Sequence, residues 1–358
     1  MAAVTIVLPT YNRPGHLDFA IRSVLAQNFH RWKLLVVGDA CNPETARMVR
    51  SFDDPRVFYV NLPERCGEQS GPISTGSACA TGDYIAYIHH DDLWLPDHLE
   101  IALAELQSAD ADIFVGRAAF TTSVNYGGDI RPGVNALSPK NRTLSMAFYC
   151  KPTMFEPTSS WVIKRTLFEE VGPWAPAANL IRTPAEDWLL RAWRQDAKLA
   201  ASDKLTTIYC NADKRIWARQ KNGERPDIYA LPPDEQEYWW NKINRLSAAD
   251  MRALLGTETA RVNRVPDYFG VRYAGTSVEQ IFGALVTPQT AELFKQYGWD
   301  AMHPAAKLSG RQRGSSLAFM LRQRTGEVLP RADNWLETMR AGEQALQSSS
   351  SWFEFECS

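Results

Sequence analysis

Tyr84-Ile-Ala-Tyr-Ile-His-His-Asp-Asp-Leu-Trp-Leu-Pro96 sets an apolar run against four ionisable side chains and a closing proline. The run has the composition of a buried strand and ends abruptly at His89, His90, Asp91 and Asp92. An open α/β sheet binds its ligand at the carboxyl ends of its strands. Carboxylates placed there supply the oxygen ligands that a hard cation needs. The stretch therefore predicts an α/β sheet with a polar crevice at the end of this strand.

The flanking sequence repeats the same unit. Val4–Leu8 is a β-branched run ended by Pro9, and Leu17, Ala20, Ile21, Val24 and Leu25 follow helical spacing after Pro14. Lys33–Val37 and Arg56–Val60 read as strands, with a helix marked by Thr45, Met48, Val49 and Phe52 between them and another over 69–80. Leu99, Ala102, Leu103 and Leu106 mark a helix after Pro96, and Asp112–Gly116 a further strand. Alternating strands and helices imply a Rossmann-like, mainly parallel sheet flanked by helices on both faces. Farther on, Ser160–Lys164 and Leu205–Tyr209 read as strands, with helices near 166–171 and 186–195. A Pro- and charge-rich stretch, Lys221–Glu235, leads into mostly helical sequence such as Ala248–Leu255 and Pro288–Tyr297. The expected organisation is an α/β domain over 1–220, in halves of about 1–116 and 117–220. A mostly helical C-terminal subdomain follows over 221–358, with a flexible tail around Ser348–Ser351.

Composition narrows the partners. In 358 residues, 39 basic and 41 acidic side chains nearly cancel, which gives no global attraction to nucleic acid or to an acidic membrane surface. The six cysteines, at 41, 66, 79, 150, 210 and 357, show no C-x-x-C spacing. That pattern argues against a zinc knuckle or a disulfide scaffold and for reduced thiols in the cytoplasm. No basic n-region precedes Val4, and no apolar run approaches the ~20 residues of a membrane-spanning helix. The expectation is a soluble cytoplasmic protein.

Three polar clusters follow three predicted strands: Pro9-Thr-Tyr-Asn-Arg13, Gly38-Asp39 and His89-His-Asp-Asp92. Each alone is ordinary turn composition. Parallel strands bring their carboxyl ends to one edge, so together the clusters predict one shared crevice.

These segments resemble the family-2 glycosyltransferases of the GT-A fold, over roughly residues 3 to 215. The resemblance rests on Val4-Thr-Ile-Val-Leu-Pro-Thr-Tyr-Asn-Arg13, on Leu35-Val-Val-Gly-Asp39, and on the His89–Asp92 corner with Trp94 and Pro96. It extends to Trp161-Val-Ile-Lys-Arg-Thr-Leu-Phe-Glu-Glu-Val-Gly172 and Ala185-Glu-Asp-Trp188. It implies a metal-dependent inverting enzyme of polysaccharide or glycoconjugate biosynthesis. Such an enzyme moves a sugar from a nucleotide-diphosphate donor, by preference UDP-linked, to a hydroxyl of a glycan or other acceptor, with Mn2+ or Mg2+. The first half of the domain would then bind nucleotide and the second half acceptor. By the same resemblance Pro9, Thr10, Tyr11, Arg13 and Asp39 hold the nucleoside, with Asp39 accepting from a base N–H. Gly67 and Ser74 belong to the segment passing ribose and diphosphate, Ser74 standing where the family often has asparagine. Asp91 is the expected metal ligand, with His90 and Asp92 beside it on the donor. Asp187 is the expected general base and Glu186 its orienting neighbour, although carboxylates in a first helical turn also suit the helix dipole.

The chain departs from the family pattern at two positions. Gly38 replaces the first of two acidic residues, and His89 replaces the first carboxylate of the D-x-D triplet. Imidazole is a poor Mg2+ ligand and an acceptable Mn2+ ligand, so His89 or His90 at the metal would favour transition ions. The plainer alternative is that both histidines pack at the strand end and bond to backbone. Trp161, Trp174 and Trp188 offer apolar faces to an acceptor sugar, a role that competes with packing. Lys214, Arg215 and Arg219 suit either a diphosphate or a solvated loop. Lys307–Arg324 suits an anionic bilayer or, preferably, a solvated helix.

Two other classes compete. A metal-dependent hydrolase built on His89–Asp92 would need a second ligand cluster, which His16, His30, His98 and His303 do not form in the sequence. A catalytically inactive sugar-nucleotide-binding protein is disfavoured by the presence of Asp91, Asp92 and Asp187.

Overall fold

The computed structural model describes residues 2–138, 140, 157–177, 183–211 and 231–261. The expectations placed on Lys214, Arg215, Arg219, 288–297, 307–324 and 348–351 lie outside the described residues.

Four strands form a parallel array: β1 (Val4–Thr10), β2 (Trp32–Gly38), β3 (Val57–Asn61) and β4 (Tyr84–Tyr87), in the order β3-β2-β1-β4. All seven residues of β1 are buried, because both faces of the array are covered by helices, and such strands read as continuous apolar runs. Helices α1 (Pro14–Leu25), α2 (Pro43–Arg50) and α4 (His98–Ser108) cover one face, where Leu17, Ile21, Val49 and Leu106 pack on Val4, Ile6, Leu34 and Val36. Helix α3 (Ser70–Ala78) covers the other, with Ile73 against Val7 and Val37.

Beyond β4 the sheet becomes mixed. Strand β5 (Asp92–Trp94) leaves the corner, β6 (Ile113–Tyr126) and β7 (Asp129–Leu137) form a hairpin, and β8 (Trp161–Lys164) lies between β4 and β6. Helices α5 (Arg165–Val171) and α6 (Pro184–Arg194) then precede β9 (Leu199–Tyr209). Contacts of β8 with β4 and β6 are antiparallel, as are β5–β9 and β6–β7, whereas β6 and β9 run parallel.

The fold is the GT-A-type α/β architecture expected, with three differences in detail. Strand β6 continues ten residues past the predicted end at Gly116 into a hairpin whose signal, Gly127-Gly128 between β-rich runs, sequence reasoning passed over. Strand β9 starts at Leu199 instead of Leu205, and β5 follows the corner directly. Helices α7 (Asp234–Ile243) and α8 (Ala248–Arg261) lie past the boundary expected near 220. Trp239, Ile243, Met251 and Leu255 of these helices share one core with Leu93, Leu95, Leu205 and Ile208 of the sheet.

Among the described residues no helix is long and apolar enough to cross a membrane. Cys41, Cys66, Cys79 and Cys210 take part in no disulfide.

Candidate active site

The crevice forms where β1, β2 and β4 end. In-register pairing sets Thr10 beside Gly38, and Pro9 beside Val37. The next amide, that of Asp39, donates to the Thr10 carbonyl at 2.9 Å. Arg13, at the start of α1, donates through Nη1 to Asp91 Oδ2 at 3.1 Å, and Nη1 also lies 3.4 Å from His90 Nε2. Its Nη2 lies 2.6 Å from His16 Nε2. Three segments separated by dozens of residues are thus joined by direct bonds at one sheet edge.

Asp39 is buried, and its carboxylate accepts the Cys66 N–H at 2.6 Å and the Gly67 N–H at 2.9 Å. Burial pushes its pKa up to about 7, against the lowering effect of those two N–H bonds. Gly67 adopts φ +75°, which places its N–H on the carboxylate at a conformation other residues rarely take. The same loop lays the Arg65 guanidinium over the Tyr11 ring, 3.8 Å from its centroid. It also holds Glu68, which accepts the N–H groups of Ser70 and Ala177, each at 3.1 Å, and so ties this loop to the 173–177 segment. A side chain at 38 would require its neighbours to shift. A Cβ there would stand 2.5 Å from Asn61 Oδ1 and 2.6 Å from the Tyr59 hydroxyl. Asn61 in turn bonds both the N–H and the carbonyl of Cys41.

At the corner itself, His89, Asp91 and Asp92 each present one ligand atom, all within 4.8 Å of one another. An imidazole and two carboxylates in that space suit a divalent transition ion or Mg2+ held with ligand oxygens. Among the described residues this is the single such group, so the second cluster of a dinuclear hydrolase is not found there. Two side chains brace the corner from outside the motifs. Ser159 Oγ accepts the His89 N–H at 2.9 Å and donates to Asp92. Gln236, on α7, donates to the carbonyls of His90 and Asp92 at 3.1 and 3.3 Å. Neither residue carried a sequence signal, because each acts only through long-range contact.

The remaining predicted residues lie on α3, in the 173–177 segment and on α6. Ser74 is buried, and its Oγ accepts the Trp174 N–H at 3.0 Å. Trp174 and Trp188 are both 0% exposed and stack with ring centroids 6.1 Å apart, so neither offers a face to a sugar in this conformation. Asp187 sits in the first turn of α6 and accepts from Arg191 Nε at 2.9 Å. Arg191 also donates to the carbonyls of Val171 and Pro173, each at 2.8 Å. Glu186 precedes Asp187 on the same helix, and its side chain is outside the described set.

A parallel nucleotide-type sheet with an acidic crevice at its strand ends, continued by a mixed second half, defines a GT-A-type domain. Residues 5–172 match the family model described as Glycosyl transferase family 2. It is 29% identical over 113 residues to the UDP-Glc:alpha-D-GlcNAc-diphosphoundecaprenol beta-1,3-glucosyltransferase WfgD of Escherichia coli, covering 32% of this chain and 44% of that protein. It is 32% identical over 120 residues to the succinoglycan biosynthesis protein ExoW of Rhizobium meliloti, covering 32% of this chain and 37% of that protein. The matches thus span less than half of either relative. Among solved structures, S. aureus TarS 1-349 in complex with UDP aligns with a TM-score of 0.49 at 14% identity, over 97% of this chain and 91% of that one.

Proposed function

We propose that the chain transfers a sugar from a nucleoside-diphosphate donor, UDP-linked by preference, to a hydroxyl of a glycan or other acceptor, in a single inverting displacement. What supports this reading is the joining of Thr10, Asp39, Arg13 and Asp91 at one edge of a domain that matches the family-2 model. A UDP-sugar donor is favoured by the name of the WfgD relative.

In this reading Asp39 accepts a base N–H alongside the two backbone bonds it already has, since a carboxylate offers about four acceptor sites. Tyr11 and Arg65 flank the nucleoside, and Arg13 neutralises charge between Asp91 and the diphosphate. Asp91, with Asp92 beside it, would hold a divalent cation, Mn2+ or Mg2+. When bound, such an ion stabilises the departing diphosphate as a Lewis acid. Asp187 removes the acceptor hydroxyl proton as that oxygen attacks the anomeric carbon, and the C–O bond to the diphosphate breaks on the opposite face. Glu186 assists its orientation. No carboxylate nucleophile is required for one inverting step.

Substituting Asp187→Asn tests the assignment. The expected result is a transfer rate lower by at least about 10²-fold, with UDP affinity unchanged. Loss of UDP binding with residual transfer would move Asp187 to the donor half and overturn its role.

A further inference from the structure

We propose that His89, together with Asp91 and Asp92, completes the cation site, and that its imidazole makes the site select a transition ion such as Mn2+ or Co2+ over Mg2+. The inference rests on the donor reading above and adds the identity of the third protein ligand and its consequence.

Two histidines adjoin the corner, and the geometry separates them. His89 shares with Asp91 and Asp92 the group whose ligand atoms lie within 4.8 Å of one another. Neighbouring ligands at bond lengths of about 2.1 Å stand roughly 3.0–3.6 Å apart, so closing the group onto an ion takes inward movements of at most about 1 Å. His90 instead turns its Nε2 toward Arg13, 3.4 Å from Nη1 and 3.9 Å from Asp91 Oδ2. It belongs to the cationic side of the crevice.

Preorganisation supports the same choice. Ser159 Oγ takes the His89 N–H at 2.9 Å and donates to the Asp92 carboxylate, so one hydroxyl fixes two of the three ligand residues. Outer contacts of that kind are what hold metal ligands in register.

Charge and donor type set the selectivity. Asp91 and Asp92 supply two negative charges, and Arg13 offsets one of them at 3.1 Å from Asp91. A neutral imidazole at 89 adds no charge, whereas a carboxylate there would. Mg2+ is reluctant to shed water and demands oxygen ligands. Imidazole suits borderline transition ions, and the advantage grows from Mn2+ to Co2+.

The test is competitive equilibrium dialysis of the full chain with UDP against equal MnCl2 and MgCl2, with retained metals measured by elemental analysis. Wild-type protein is expected to retain Mn2+ over Mg2+, and His89→Asp to lower that ratio by about tenfold. His90→Ala should leave the ratio unchanged. If the aspartate variant does not fold, His89→Asn replaces imidazole with an oxygen donor and should shift the ratio in the same direction. An unchanged ratio in the His89 variants, or a shift confined to His90→Ala, would overturn the assignment while leaving the donor reading standing. Retention of neither ion by the wild-type protein, with UDP still bound, would overturn metal binding as a whole.

Discussion

Burial raises the Asp39 carboxyl from its ordinary 3.8 to about 7 and lowers the His98 imidazole from 6.5 to about 3. His98 is fully buried, stacked on Trp94 with ring centroids 4.3 Å apart, and neither ring nitrogen has a hydrogen-bond partner. The two groups act on stability with opposite signs. Between about pH 4 and 7 the unfolded chain ionises Asp39 while the folded protein resists, so its contribution declines by about 1.4 kcal/mol per pH unit as pH rises. Between about pH 3 and 6.5 the unfolded chain protonates His98 while the folded protein does not, so that contribution grows by a similar amount per unit. The wild-type curve therefore conceals both. Relative to wild type, Asp39→Asn should tilt stability upward with pH across pH 4.5–6.5 and His98→Leu should tilt it downward, as read by urea denaturation at several pH values. Parallel curves for all three proteins would refute the burial argument. The residues that the proposed mechanism uses carry a local signal, since Thr10 ends one apolar strand and Asp39 and Asp91 lie just beyond two others. Their supports carry none. Ser159 meets Asp92 across 67 positions and Gln236 meets the Asp92 carbonyl across 144, separations that no local pattern encodes.

Among the elements, the four parallel strands and α1 to α4 could be read from periodicity because helices cover both faces of each strand, leaving continuous apolar runs. Strand β5 is only Asp92–Trp94, and its residues had already been read as site. The outer end of β6, Ser123 to Tyr126, alternates exposed and half-buried residues, so it lacks the apolar density of the inner strands. Helix α7 begins with Asp234, Glu235 and Glu237, and those charges made its start resemble the end of a linker. The same helix places Gln236 on the backbone of the His89–Asp92 corner. Gln236→Leu should lower stability by about 1–3 kcal/mol through its two lost bonds and weaken UDP-dependent Mn2+ retention. Weakened retention without a stability change would mean that Gln236 acts on the ion site alone. A change in neither would show that α7 merely covers the sheet.

The whole molecule joins its halves through shared cores. One core packs α5 and α6 against the sheet, with Trp161, Trp174 and Trp188 fully buried. Another inserts Trp239, Ile243, Met251 and Leu255 over β5 and β9. A chain ending at residue 230 would expose Leu93, Leu95 and Ile208, and uncovering several such side chains costs about 1.5–3 kcal/mol each. Truncation there should therefore give an insoluble protein or one with a much lower Tm, whereas an undiminished Tm would favour an independent domain ending near 220. The central claim is that Thr10, Asp39 and Asp91 line one pocket for a nucleoside diphosphate. The most direct measurement is the Tm of the full chain with UDP, GDP, dTDP or CDP, each with and without Mn2+. A ligand that binds only the folded state raises Tm, by about 2.7 kcal/mol of stability at a hundred times its Kd. The expected result is a rise with UDP that Mn2+ enlarges and that Asp39→Ala abolishes. No rise with any of the four nucleotides, with or without the cation, would contradict the account.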